Sequence, residues 1–539
     1  MNKIKNYIGL AMISLSFGQI QAQEEPVNGL DTVRFSNNII PEVTDAVKIP
    51  FHPQLHNVTD SINIKEYHVP KYPFKFEYLP KKFKPLAFKK SRDKALNTNL
   101  IKLGLGVPLV YDIEAYYSSD RSKDLVFGAY VDHYHLNGGT ANRSVRTSDI
   151  SLFGKKIFNK DIIEANISFG NYLHEFIDPD SLVAGRFGST IPNVQNHVRA
   201  AGRIYNYKYE EDEIRYDLYG NLNYSTSSMY NANGINGHGG AIVSNQLGTG
   251  MLFIDLSNEL ILLNNESSSL TNITTLKTYY DLEGKDWKVR LGIMAALDQN
   301  APLILPEFYS EKILVEKYLT TYSGWKGNIE GRDLERMLFI NPYWDIASVE
   351  LTNSYNNIKY AGFKGAHDSK LSYDIRFERN DVKNNLLFVT SEDSMHKFES
   401  LYEDMSVTSS ILSLGYQLND KFNSVLENRF YLYNMASSTE TQAWHMPNYA
   451  ITWLNHYNIQ DLIEVDLSIL FQGETYNRVG DTEYINDGFV DASLGIDYHY
   501  HKNLSIYLDI NNILGTRYNI WYNYPTVGLN VIGGVKFSF

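Results

Sequence analysis

The sequence predicts an all-β fold: a transmembrane antiparallel β-barrel of even strand number, about 16–22, behind an N-terminal Pro-rich extended segment. Three observations predict it. An export-type N-terminus precedes a long series of segments in which apolar and polar residues alternate. No later apolar run reaches the ~18 residues that a membrane helix needs. The chain also ends in an alternating stretch, "GGVKFSF", whose last residue is aromatic.

The export signal is residues 1–22. Lys3 and Lys5 give a basic start, Tyr7–Ile20 an apolar core, and Ala22 a small residue at the cleavage point. The mature chain is expected to begin at Gln23. Residues 23–96 follow with half of the 16 prolines, a spacing that breaks helices and ladder pairing alike. This segment ends in a basic, aromatic run, Leu79–Lys94. The run suits anionic headgroups or a periplasmic partner, and equally a solvated extended lead-in.

Residues 97–539 are expected to form the barrel. Asp461–Tyr476 sets Ile463, Val465, Leu467, Ile469 and Phe471 against Glu464, Asp466, Ser468, Gln472 and Glu474, with Leu470 as the exception. Glu213–Tyr224, Asp286–Ala295, Lys370–Glu378 and Gly488–His501 alternate in the same way. One such strand also fits a soluble sheet with one wet face. Many in succession need closure, which leaves no unpaired edge, and an exported closed sheet turns its apolar face to lipid. At roughly 20 residues per strand and connection, about 22 strands fit. The polar face supplies the lumen candidates Arg215, Asp217, Lys288, Arg290, Asp374, Arg376, Glu378, Glu427, Arg429, Glu464, Asp466, Glu474, Asp491, Asp497 and Asp509. They would select solutes in an open pore or fill a closed one with ion pairs. The acidic C-terminal strands lean towards cations.

Connections are expected to be tight within 158–163, 418–423, 458–463 and 500–505. Long surface loops are expected over Tyr172–Asn193 and Ser227–Asn245. Tyr116–Tyr117, Tyr279–Tyr280, Tyr431, Tyr433, Tyr498 and Tyr500 are expected in interfacial girdles, which suit a ring with an apolar body and a polar tip.

In the last ten residues, Val531, Gly533, Val535, Phe537 and Phe539 share one face, and the strand is expected to pair with Asn97–Gly106 to close the ring. The ending Val535–Phe537–Phe539 resembles the C-terminal signal of outer-membrane barrels, which implies the barrel-insertion machinery as a partner. Asn503–Phe539 resembles the end of TonB-dependent receptors through Asn511, Asn512, Ile513, Leu514, Tyr518, Trp521, Tyr524, Pro525, Gly528 and Phe539. That resemblance implies an outer-membrane location and solute uptake. Residues 23–96 are too short and Pro-rich for the family's plug domain, although Asp31–Phe35 is similar to a TonB-contact motif. The expectation is therefore a plug-less barrel of this type, taking up solutes alone or with a periplasmic or outer-membrane partner. The alternative is a structural or assembly barrel in a larger complex.

Net charge −13 argues against nucleic acid as a partner. The absence of cysteine excludes disulfides, thiolate metal sites and an anchor on an N-terminal cysteine. His133 and His135, and His499 and His501, have spacing that could share a metal, but neither pair has a third ligand nearby. His133 is expected in a girdle, and His499 and His501 as solvated lumen residues. Asp178–Asp180 reads as turn chemistry. No phosphate loop, nucleophile elbow or metalloprotease helix appears, so no cofactor and no enzyme activity are expected.

Overall fold

The computed structural model describes residues 99–539 apart from 120–123, 138–143, 178–189, 210–212, 266–267, 300, 347–350, 369, 395, 420 and 437–439. The export signal, the Pro-rich segment with Asp31–Phe35, and Asp178–Asp180 lie outside the described residues.

The first strands are β1 (Leu100–Val107), β2 (Val110–Ser118), β3 (Leu125–Leu136), β4 (Val145–Ile157), β5 (Asp161–Ile177), β6 (Thr190–Asn206) and β7 (Arg215–Ser227). Next come β8 (Ala232–Leu247), β9 (Gly250–Asn264), β10 (Ser268–Glu283), β11 (Trp287–Asp298), β12 (Ala301–Val315) and β13 (Leu319–Glu330). A short helix α1 (Leu334–Ile340) precedes β14 (Ser354–His367), β15 (Leu371–Thr390), β16 (Phe398–Leu418), β17 (Phe422–Met435), β18 (Tyr449–Ile459) and β19 (Ile463–Gln472). The chain finishes with β20 (Thr475–Val479), β21 (Thr482–Asn486), β22 (Phe489–His501), β23 (Leu504–Asn511), β24 (Asn519–Trp521), β25 (Tyr524–Pro525) and β26 (Asn530–Ser538).

Twenty-two of these close into one antiparallel barrel. The pairs β20–β21 and β24–β25 are excursions, because β19 pairs directly with β22 and β23 with β26. Closure joins β26 to β1, from Leu100↔Ser538 to Val107↔Val531. Asn99 and Phe539 exchange two backbone hydrogen bonds of 3.1 Å at its end. The final aromatic residue is thus part of the ladder that makes the ring.

Exposure follows the sequence alternation. Leu218, Leu222, Leu291, Ile293, Phe377, Val535, Phe537 and Phe539 are exposed on the outer face, while the intervening polar residues turn inward. The four expected tight turns all lie at the barrel end that carries its termini. The opposite end carries the connections 331–353, 436–448, 473–488 and 512–529. Strands beside the seam have 8 or 9 residues, against 20 and 21 in β15 and β16. The wall therefore rises away from the seam, well past the 9–11 or so residues of one crossing, and is tallest at β15 and β16.

Three expectations change. Ser227–Asn245 is mostly strand β8, not a loop. Its glycines look like loop chemistry, yet Gly240 sits where a Cβ would lie 2.6 Å from the Tyr219 hydroxyl, so the strand needs a small residue there. Tyr172–Asn193 is strand at both ends, paired as Tyr172↔Gln195 and Ile177↔Thr190. Finally, Tyr279, Tyr431 and Tyr433 face inward. Successive residues alternate faces, and Phe430 and Leu432 take the outer positions. Tyr117, Tyr498 and Tyr500 are exposed.

Candidate functional site at the outer mouth

Most of the lumen candidates meet a partner close by. Asp217 is paired with Arg203 across β6 and β7 at 2.8 Å. Arg290 forks onto Asp281 at 2.8 and 2.9 Å and lies 4.0 Å from the Tyr279 ring centroid. Asp374 accepts from the Tyr322 hydroxyl. Arg376 pairs with Glu378 and stacks on Tyr360, and Arg429 pairs with Glu427 at 2.6 Å. Lys288 meets Glu283 at 3.0 Å, and Arg215 stacks on Tyr209.

In the C-terminal strands, Glu464 meets His499 at 3.1 Å, Asp466 meets His456 at 2.8 Å, and Asp497 meets Lys536 at 2.8 Å. Asp491 accepts from Tyr518 at 2.5 Å, and Asp509 is buried. Glu474 stands apart: it lies in the connection beyond β19, exposed, and accepts from Tyr476. The strand ends two residues earlier, so the alternation that placed Glu474 on the wall no longer applies. His133 is bonded to Ser148 at 2.8 Å, and among the described residues no group of three or more potential metal ligands comes together.

The arrangement that the alternation does not reveal is the 331–346 segment. It folds from β13 against the inner wall of β6–β9. Its start is a local signal: Asp333 caps α1 by accepting from the Arg336 N–H at 2.9 Å. Leu334, Met337 and Leu338 then recur at helical spacing and are buried. Each polar residue of the first turn meets the wall. Glu335 takes Arg199 Nε at 2.6 Å, a second bond from Arg199 Nη2, and one from Asn223 Nδ2. Asp333 accepts from Asn236 at 2.6 Å, and Arg336 meets Glu259 at 3.0 Å. Gly234 leaves room for Leu334, whose Cβ would lie 2.8 Å from an added methyl.

Beyond α1 the segment crosses to other walls. The Tyr343 ring stacks on Tyr524 at 3.6 Å and meets Phe176 of β5 edge-on at 5.6 Å. Asp345 N–H donates to the Phe398 carbonyl at 2.8 Å, and Lys397 meets Asp345 at 3.3 Å. Trp344, Phe388, Phe398, Leu470, Phe489, Tyr518, Trp521 and Tyr524 belong to one buried cluster, which packs the connections onto the inner wall of the strands. Leu470, the exception to the alternation in β19, faces inward into this cluster. His445 sits at its edge, 4.9 Å from Trp521 and 2.8 Å from the Asn477 carbonyl oxygen. Burial pushes its imidazole down to about 4. The mouth is thus braced from wall to wall, with polar contacts and the buried Leu334, Met337 and Leu338 on the β6–β9 side and aromatic packing on the other.

No protein-family model matches the sequence, and none of the curated proteins matches it. Solved structures do. The ferric enterobactin receptor PfeA of Pseudomonas aeruginosa is 13% identical with a TM-score of 0.62, covering 82% of this chain and 80% of that one. The ferric-catecholate import receptor Fiu of E. coli K12 is 10% identical with a TM-score of 0.63, covering 82% of each chain. The FrpB iron transporter of Neisseria meningitidis is 10% identical with a TM-score of 0.64, again covering 82% of each. At such identities the likeness is one of fold. An apolar outer belt on a closed 22-strand barrel of this architecture defines an outer-membrane β-barrel.

Proposed function

We propose that this protein is an outer-membrane uptake barrel whose outer mouth is closed by its own 331–346 segment and opens when that segment leaves the wall. The observation that carries the reading is the set of polar contacts that the first turn of α1 makes with the wall beside the buried Leu334, Met337 and Leu338: Glu335 with Arg199 and Asn223, Asp333 with Asn236, and Arg336 with Glu259. A solute that offers matching charged or amide groups can take over such contacts, which it cannot do for apolar packing. The receptors of like fold are named for ferric enterobactin, for ferric-catecholate import and for iron transport, which supports uptake as the class. A periplasmic or outer-membrane partner would then engage the barrel, and residues 23–96 would provide its contact.

Planar-bilayer recording of the full chain tests the reading. Wild type should conduct rarely, and removal of 331–346 with a short glycine bridge should raise conductance strongly. A barrel that stays silent after that deletion and co-purifies with other envelope proteins would favour the structural or assembly role. The buried cluster that ties the outer connections to the barrel wall suits that second role as a docking platform.

A further inference from the structure

Glu335 does more than hold α1 down: its carboxylate occupies a site that the wall builds by itself. Arg199 and Asn223 are direct cross-strand partners on β6 and β7, so their side chains leave the sheet side by side on the inner face. Both converge on Glu335, the guanidinium on Oε1 and the amide on Oε2. His197, two residues from Arg199 and paired with Ser225, places Nδ1 3.6 Å from Oε1 and 3.0 Å from the Ser225 hydroxyl. Behind the guanidinium, Arg199 Nη2 donates to the Tyr172 hydroxyl at 3.3 Å, and Tyr172 in turn donates to Asp149 at 2.7 Å. A planar two-donor group and an amide meeting the two oxygens of one carboxylate is the geometry of carboxylate recognition. The supporting hydrogen bonds all come from strands, so the donors remain in place when α1 leaves.

We propose that Arg199 and Asn223, with His197 beside them, form a binding site for a carboxylate-bearing solute in which these two residues make the contacts, and that Glu335 is its internal occupant. A solute carboxylate that takes Arg199 and Asn223 displaces Glu335 and with it the first turn of α1. One ligand therefore both occupies the lumen wall and loosens the mouth. Asp149, 3.8 Å from Arg199 Nη1, offsets part of the positive charge, so the site favours a ligand that matches the fork over a simple halide. The proposal deepens the uptake reading and rests on it only for the consequence of displacement.

The absence of cysteine makes the test direct. Phe339 in α1 is exposed, and a nitroxide on Phe339→Cys in the full chain, in lipid vesicles, reports whether α1 is held. Citrate is the probe, with sodium chloride at matched ionic strength as the control. Citrate should raise the mobile fraction, and chloride should not. Glu335→Gln should raise it without citrate. Arg199→Gln and Asn223→Ser should likewise loosen α1 without citrate, and each, added to Glu335→Gln, should weaken citrate binding read by calorimetry by about tenfold or more, as loss of one charge-assisted contact requires. Heat-shifted gel migration shows that each variant has folded. An unchanged mobile fraction up to tens of millimolar citrate, in a barrel whose Glu335→Gln variant is mobile, overturns the site. So does an equal response to chloride, or citrate binding that stays unaltered when Arg199→Gln and Asn223→Ser are each added to Glu335→Gln. Conductance recorded in parallel separates the two readings. Citrate-driven mobility without conductance overturns uptake and leaves the site standing. Conductance with α1 indifferent to citrate does the reverse.

Discussion

Tyr507 on β23 donates its hydroxyl to Asp112 on β2 at 3.1 Å, across two intervening strands and 395 positions of sequence. The register explains how it reaches. Tyr507 stands opposite Gly534, Gly534 opposite Gly104, and Gly104 opposite Asp112, in one row across the closing seam. The ring lies over both glycines. A Cβ on Gly104 would come within 2.0 Å of the Tyr507 hydroxyl, and one on Gly534 within 2.6 Å of its ring. Lys102, 2.5 Å from Asp112, and Lys536 place their ammonium groups 4.9 and 5.0 Å from the same ring centroid. The seam is clamped from inside by one tyrosine, two lysines and a carboxylate.

The clamp sets an order of severity. Tyr507→Phe keeps the ring and removes one hydrogen bond to a charged acceptor, a loss of about 1.5–3 kcal/mol. Gly534→Val pushes a side chain into the ring and into the Leu103 carbonyl, 2.1 Å from a Cβ there, and should cost more. Urea midpoints read from the heat-sensitive gel band should fall in the order wild type, Tyr507→Phe, Gly534→Val. A valine variant as stable as wild type would mean that the ring does not lie over the seam.

The barrel itself was legible in the sequence, because period-two alternation is written locally in every strand and the tight turns carry their own turn residues. The strand that escaped, β8, did so because its glycines answer to other segments, Gly240 to Tyr219 on the neighbouring strand and Gly234 to Leu334 of α1. Inward placement of Tyr431 and Tyr433 could have been read from Phe430 and Leu432 beside them. The mouth was not legible from alternation, since Arg199, Asn223, Asn236 and Glu259 look like any inward polar residues until α1 arrives. Asp333 followed by Leu334, Met337 and Leu338 was the available signal: a capped helical turn in a chain of strands.

Asp333 serves α1 twice, as its cap and as the acceptor of Asn236. Asp333→Ala should therefore loosen the segment without disturbing the barrel. Loss of a cap alone costs about 1 kcal/mol. Protease added outside intact vesicles should cut within 331–346 several-fold faster in this variant, while the gel shift stays as in wild type. Equal cleavage rates would show that the aromatic side of the mouth holds the segment unaided.

The aromatic side should respond to pH through His445. Its imidazole, pushed from 6.5 down to about 4 by burial, stays neutral in the folded mouth, while an unfolded mouth takes up a proton below 6.5. The two states bind protons equally above that value, so the folded connections keep full stability there. They lose it progressively from pH 6.5 to about 4, by up to about 3 kcal/mol. Cleavage of the outer connections should accelerate over that window. His445→Asn, which tolerates the left-handed backbone at φ 59°, removes the titrating group and should flatten the profile. A profile that keeps its slope in the variant would assign the pH response elsewhere.

The chain end separates two roles of one residue. Phe539 gives the seam two backbone hydrogen bonds with Asn99, and its exposed ring stacks on Phe537 at 5.3 Å on the outer face. Phe539→Ala removes the ring and leaves the backbone bonds, whereas deletion of Phe539 removes both. If closure of the ladder dominates, the alanine variant should assemble nearly as well as wild type, and the deletion should lower the folded fraction in the outer membrane clearly. If the insertion machinery reads the ring, the two should fail alike in cells but differ when refolded from urea into detergent, where no machinery acts. Comparing folded fractions in both settings assigns the terminal aromatic residue to recognition or to closure.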